Sequence, residues 1–94
     1  MIIAVDFDDT LYLCGRPNTA LIRRLNAAQR AGDTVILWTC RTGTNLAEAV
    51  DFILRHGLRP NYINCNAPEA LQRFGHDCRK IYADLYIDDK AVRP

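Results

Sequence analysis

Asp6, Asp8 and Asp9 crowd three carboxylates into four positions directly after the apolar run Ile2–Val5, within the stretch D-F-D-D-T-L. Like charges at the end of a buried strand repel one another, which destabilises a fold unless a cation or a basic side chain relieves it. Two carboxylates one residue apart can share a hard cation through oxygen donors. A second acidic pair, Asp88-Asp89, closes the segment Ala83–Ile87. Adjacent acids at a strand end do little for packing but suit a metal. Thr39-Cys40-Arg41-Thr42 follows the run T-V-I-L-W. It offers a hydroxyl and backbone amides that can hold a phosphate oxygen, helped by the N-terminus of a following helix. Lys80 could neutralise charge on such a phosphate. Taken singly, each has an ordinary explanation: a solvated acidic turn, a capping threonine, a surface lysine.

The elements that must position these residues are readable from periodicity. Ile2–Val5 reads as a buried parallel strand. Pro17 and Asn18 open a helix with Leu21, Ile22, Leu25 and Ala28 inward and Arg23, Arg24, Gln29 and Arg30 outward, ended by Gly32. Thr34–Trp38 is a second strand, rich in β-branched and aromatic residues. Thr44 or Asn45 is expected to cap a second helix carrying Leu46, Val50, Ile53 and Leu54 and ended by Gly57. Tyr62-Ile63 reads as a short third strand, Pro68–Phe74 as one or two helical turns, and Ala83–Ile87 as a fourth strand with Asp84 as a surface or structural residue at its start. This alternation predicts an α/β fold: a small Rossmann-like three-layer sandwich with a mostly parallel sheet of about four strands and helices on both faces. Ligands bind such sheets at the carboxyl ends of the strands, so the three polar clusters are expected on one edge.

Composition narrows the function. The 94 residues suit one domain, and 49% hydrophobic content is enough for a core. A net charge of +1, with 24% charged residues of both signs, argues against a nucleic-acid binder held by long-range charge, though not against local phosphate contacts. No apolar stretch is long enough for a bilayer, and the short start Met1–Val5 does not make a secretory signal, so a cytoplasmic location is expected. Cys14, Cys40, Cys65 and Cys78 contain no C-x-x-C pair. They are expected to be reduced thiols and not zinc ligands.

In order, D-F-D-D-T-L, L-W-T-C-R, a lysine and L-Y-I-D-D resemble the four motifs of the haloacid dehalogenase superfamily, over Met1 to about Val92. The closing segment is also similar to that of deoxyribonucleotidases and polynucleotide 3′-phosphatases. The resemblance implies a Mg²⁺-dependent phosphate-monoester phosphatase. Asp6 is then the nucleophile that becomes an aspartyl-phosphate and Asp8 the general acid and base. Mg²⁺ is held by Asp6, the Asp8 carbonyl and an acid of Asp88–Asp89. Thr39 and Lys80 hold the phosphoryl oxygens, with Cys40 and Arg41 beside the substrate. Asp8 also favours phosphoryl transfer over carbon–halogen cleavage, whose halide leaves without a proton. One departure is Asp9, where the family usually has glycine.

Only Leu11–Arg16 separates the first strand from the next helix, too short for a cap domain, so residues 1–94 are expected to form one open, cap-less unit. An open site suits a phosphate on a large substrate, nucleic acid entering only as substrate, unless a second subunit of a homo-oligomer supplies a lid. Two other classes share part of the pattern. Receiver-like phospho-switches also combine acids, a threonine, a lysine and Mg²⁺, but carry the phosphorylated aspartate on a later strand than the acid pair. A non-catalytic phosphate- and metal-binding module would keep the fold and ion without turnover.

Overall fold

The computed structural model describes residues 1–92. Its elements run β1 (Ile2–Val5), β2 (Tyr12–Leu13), β3 (Arg16–Pro17), α1 (Thr19–Arg30), β4 (Thr34–Leu37), α2 (Gly43–Arg55), β5 (Tyr62–Ile63), α3 (Pro68–Phe74) and β6 (Leu85–Ile87). Four strands form a parallel sheet in the order β5-β4-β1-β6, and β2 and β3 form a separate antiparallel hairpin. The α/β architecture expected from the sequence is the one observed. Two strands are shorter than their apolar runs. Trp38 leaves β4, although its N–H still donates to the Val5 carbonyl at 2.9 Å. Ala83 stands outside β6 because its N–H donates to the Tyr86 hydroxyl at 3.1 Å.

Side chains alternate across the pleat, so β1 feeds two cores. Ile3 and Val5, with Val35 and Leu37 of β4, meet Leu21, Ile22 and Leu25 of α1 and Ala49 and Ile53 of α2. Burying each of these larger aliphatic side chains stabilises the fold by about 1.5–3 kcal/mol. On the opposite face Ala4 and Ile36 meet Ile81 and Ala83, flanked by Trp38 and Tyr62. The return from β5 to β6 passes over this face, where Phe74 of α3 lies against Tyr82 at 5.7 Å between ring centres. A right-handed crossover requires that side.

Helix ends follow local chemistry. Asn18 caps α1, its side-chain oxygen accepting from the Leu21 N–H at 3.2 Å. Gly32, at φ +98°, follows the last cap residue as expected. The second helix differs from expectation: it begins at Gly43, with Thr42 at the cap position and no side-chain cap bond. Asn45 lies inside the first turn, where its carbonyl accepts from Arg41 Nη1 at 3.3 Å.

Three asparagines fasten the sheet's periphery in place of backbone partners. Asn61 accepts from Val35 N and Asn64 from Thr39 N, both at 2.8 Å. Buried Asn66 accepts from Tyr82 N at 2.7 Å and donates to Asp77 and to the Cys78 carbonyl. Asp84 proves structural, accepting from Ile2 N at 2.6 Å and from the Tyr82 hydroxyl at 2.9 Å, which ties the start of β6 to β1. All four cysteines are unpaired thiols. Among the described residues no helix is long and apolar enough to cross a membrane.

Candidate active site

From β1 the chain winds outward through β4 to β5, then returns to place β6 on the other side of β1. The winding reverses between β1 and β6, where open parallel sheets form a crevice at their carboxyl edge. Asp6 leaves β1 at that point, and its N–H donates to the Ile87 carbonyl at 2.9 Å, which sets it beside the acids ending β6. One oxygen each from Asp6, Asp88 and Asp89 lies within 4.8 Å of the others. These are hard oxygen donors with the chemistry Mg²⁺ prefers. Asp6 is half-buried and its pKa is pushed up to about 6, first by burial and then by the charges of Asp88, Asp89 and Asp8, against the pull of the Phe7 N–H. A cation among these oxygens would relieve that penalty. The acids from the two ends of the chain therefore converge as the sequence suggested.

The Phe7 carbonyl accepts from the N–H groups of Thr10, Leu11 and Tyr12 at 3.0–3.2 Å, coiling the chain once after β1. Within this coil Asp9 adopts φ +61°. The left-handed region costs a residue with a Cβ roughly 1–2 kcal/mol, less for aspartate, which explains why glycine suits this position. Asp9→Gly is expected to stabilise the fold by about 0.5–1 kcal/mol, the relief being partly offset by the flexibility glycine adds to the unfolded chain. A urea midpoint that drops would show that the Asp9 side chain holds the turn.

The coil leads into the hairpin β2–β3, which the sequence did not signal. Its two-residue turn, Cys14-Gly15, has φ of +49° and +87°, the signs that a tight type I′ hairpin requires. The stretch expected to be a plain connection is thus a short hairpin, and among the described residues it is too small to form a cap domain.

Asp8 sits apart from the acidic trio. Both its oxygens are taken by Arg41, Nη2 donating to Oδ1 at 2.8 Å and Nε to Oδ2 at 3.0 Å. The hydrogen bonds from Arg41 hold the Asp8 carboxyl below the usual carboxylate range. The guanidinium lies over the Phe7 ring at 4.7 Å and near Tyr12 at 5.9 Å, a favourable stacking for arginine. Nothing in the sequence announces this pairing.

A cleft of about 190 Å³ is lined by Asp6, Trp38, Thr39, Cys40 and Asp88. It brings Thr39 and exposed Cys40 to the acids, as expected. Thr39 is held through its N–H by Asn64, and its hydroxyl accepts from the Arg41 N–H at 3.2 Å. Arg41 itself faces a neighbouring cleft with Phe7, Tyr12, Glu48, Asp51, Phe52 and Arg55. Lys80 departs from expectation. It lines a separate cavity of about 410 Å³ with Asn66, Phe74 and Tyr82, its Nζ 5.9 Å from the centre of the Tyr86 ring. The charges that act most on Asp6 are those of Asp88, Asp89 and Asp8. Asn66 fastens the segment around Lys80 by accepting from the Tyr82 N–H and donating to the Cys78 carbonyl.

No family model and no curated protein matches the chain. Among solved structures it is similar to a conserved protein from Bacteroides thetaiotaomicron, with a TM-score of 0.82 and 36% identity, over 98% of this chain and 78% of that one.

Proposed function

Starting from the fact that this chain belongs to the same family as that conserved Bacteroides thetaiotaomicron protein, we propose that it is a Mg²⁺-dependent phosphate-monoester phosphatase of the haloacid dehalogenase type, acting in the cytoplasm through an aspartyl-phosphate on Asp6. The observation that carries this reading is the meeting of Asp6, Asp88 and Asp89 at the carboxyl edge of the sheet, beside Thr39. Asp6 attacks the phosphorus and the ester oxygen departs. Asp8 delivers a proton to that oxygen and later takes one from the water that hydrolyses the acyl phosphate. Asp6 and the Asp88–Asp89 pair would hold Mg²⁺, which would supply the positive charge a carboxylate needs to approach a phosphate dianion. Thr39, fixed by Asn64, presents its hydroxyl to a phosphoryl oxygen. The acidic edge, with no cap domain among the described residues, fits a phosphate carried on a large substrate.

The test is release of phosphate from p-nitrophenyl phosphate. Turnover is expected with Mg²⁺ and is expected to vanish on chelation. A protein inert with every divalent metal and phosphoester offered would end the enzyme reading. The placement of Lys80 favours a second reading, a module that binds metal and phosphate without turnover. Mg²⁺-dependent thermal stabilisation with no phosphate release would support it.

A further inference from the structure

The ion pair between Asp8 and Arg41 joins a residue of the first acidic cluster to one that follows the second strand. In the phosphatase reading, on which this inference rests, Asp8 must turn an oxygen toward the departing ester oxygen. Here both its oxygens face Arg41, at 2.8 and 3.0 Å. The guanidinium is only a quarter exposed and is fixed over Phe7, with its remaining amine on the Asn45 carbonyl. Water can stand in for Asp8 at this partly open pair, but a second oxyanion restores the same two charge-assisted hydrogen bonds to the planar fork and so displaces Asp8 more readily.

We propose that Arg41 selects substrates whose leaving group carries its own oxyanion next to the phosphate ester: that oxyanion takes the place of Asp8 on the guanidinium and frees Asp8 to serve the departing oxygen. The geometry sets the reach. Arg41 is one hydrogen bond from Asp8, so the second anion sits within a few bonds of the ester oxygen. The cleft of about 320 Å³ that Arg41 lines with Tyr12, Glu48 and Phe52 has room for the rest of the leaving group over the packed Tyr12 and Phe52 rings. Deeper placement of the anion is disfavoured. Arg55 is already paired with Asp51 at 2.9 Å, and Glu48 adds a negative charge that acts on Arg41. Carboxylates or phosphates adjacent to the ester thus fit, and distant ones do not. The exchange is one ion pair for another, with no net change in charge at the guanidinium.

Phospholactate and isopropyl phosphate make a matched pair, differing by a carboxylate in place of a methyl group. With Mg²⁺, the native protein is expected to favour phospholactate at least tenfold in kcat/KM. Arg41→Gln is expected to bring the two esters near parity by losing phospholactate activity and gaining on isopropyl phosphate. Arg41→Lys keeps the charge but not the fork, and should retain only part of the preference. Native turnover of both esters at equal rates, or a preference that survives Arg41→Gln, would overturn the proposal. Calorimetric binding of phospholactate to Asp6→Asn, with and without Arg41→Gln, reads the exchange without turnover; a tenfold loss of affinity is expected. An inactive native protein that still shows this loss would sink the phosphatase reading and leave the anion exchange standing. Unchanged affinity would sink the exchange itself.

Discussion

Asp6→Asn is expected to cut phosphate release by roughly 10³-fold or more while leaving the protein folded and more heat-stable without metal. The two effects have one cause. The Asp6 oxygen is the group that would bond to phosphorus, and an amide cannot replace it. The same carboxylate is half-buried beside Asp88 and Asp89, so its charge is a burden on the metal-free fold. The backbone contact that anchors position 6, its N–H on the Ile87 carbonyl, does not depend on the side chain. Loss of activity with a lower melting temperature would indicate simple damage. Retained activity would remove Asp6 as nucleophile.

The second large effect is on stability against pH. In the folded protein Asp6 takes up its proton near pH 6, whereas the unfolded chain does so near 3.8. Between these values the folded state holds a proton that the unfolded state has released, so Asp6 favours folding at low pH and this contribution is lost as pH rises through about 6. A shift of about two units corresponds to about 3 kcal/mol at full burial, and solvent screening at this half-open edge reduces it to about 1 kcal/mol. For a domain of this size that is about 4–8 °C in melting temperature. Native protein and Asp6→Asn should melt together at pH 3.5 and separate at pH 7.5, with the variant higher. The comparison isolates Asp6 from Asp8, whose depressed pKa works in the opposite direction. Millimolar Mg²⁺ should raise the native protein at pH 7.5 and leave the variant nearly unmoved. Equal melting at every pH, or Mg²⁺ stabilising both alike, would show that Asp6 is neither burdened nor a metal ligand.

Much of this site was legible because its chemistry sits where the periodicity changes. The run Ile2–Val5 can only be a buried strand, and an acid immediately after it must emerge at the sheet's edge. The same holds for Thr39 after β4 and for Asp88 after β6. Lys80 was different. It lies in the irregular segment between α3 and β6, where order along the chain does not say which end of the sheet a side chain meets. Its place is decided by Asn66, a buried polar residue whose partners lie 11 to 16 positions away. Arg41 and Asp8 lie 33 positions apart, and a bidentate pair leaves no periodic trace. The hairpin escaped notice because two-residue strands are too short to alternate. Its turn also uses Cys14 at positive φ instead of the usual asparagine or aspartate.

The position of β6 has a consequence for how the protein matures. Among the described residues that strand pairs with β1 alone, and it brings Asp88 and Asp89 with it. A chain made from its amino end therefore exposes Asp6 long before its companions exist. Until then Asp6 is an ordinary solvated acid, and the β1–β4 pair must wait with one edge bare, a surface that invites association with other chains. The acidic trio is assembled by the slowest kind of contact a small domain makes, one between distant parts of the chain. The acidic trio and the completed sheet thus arrive in the same event.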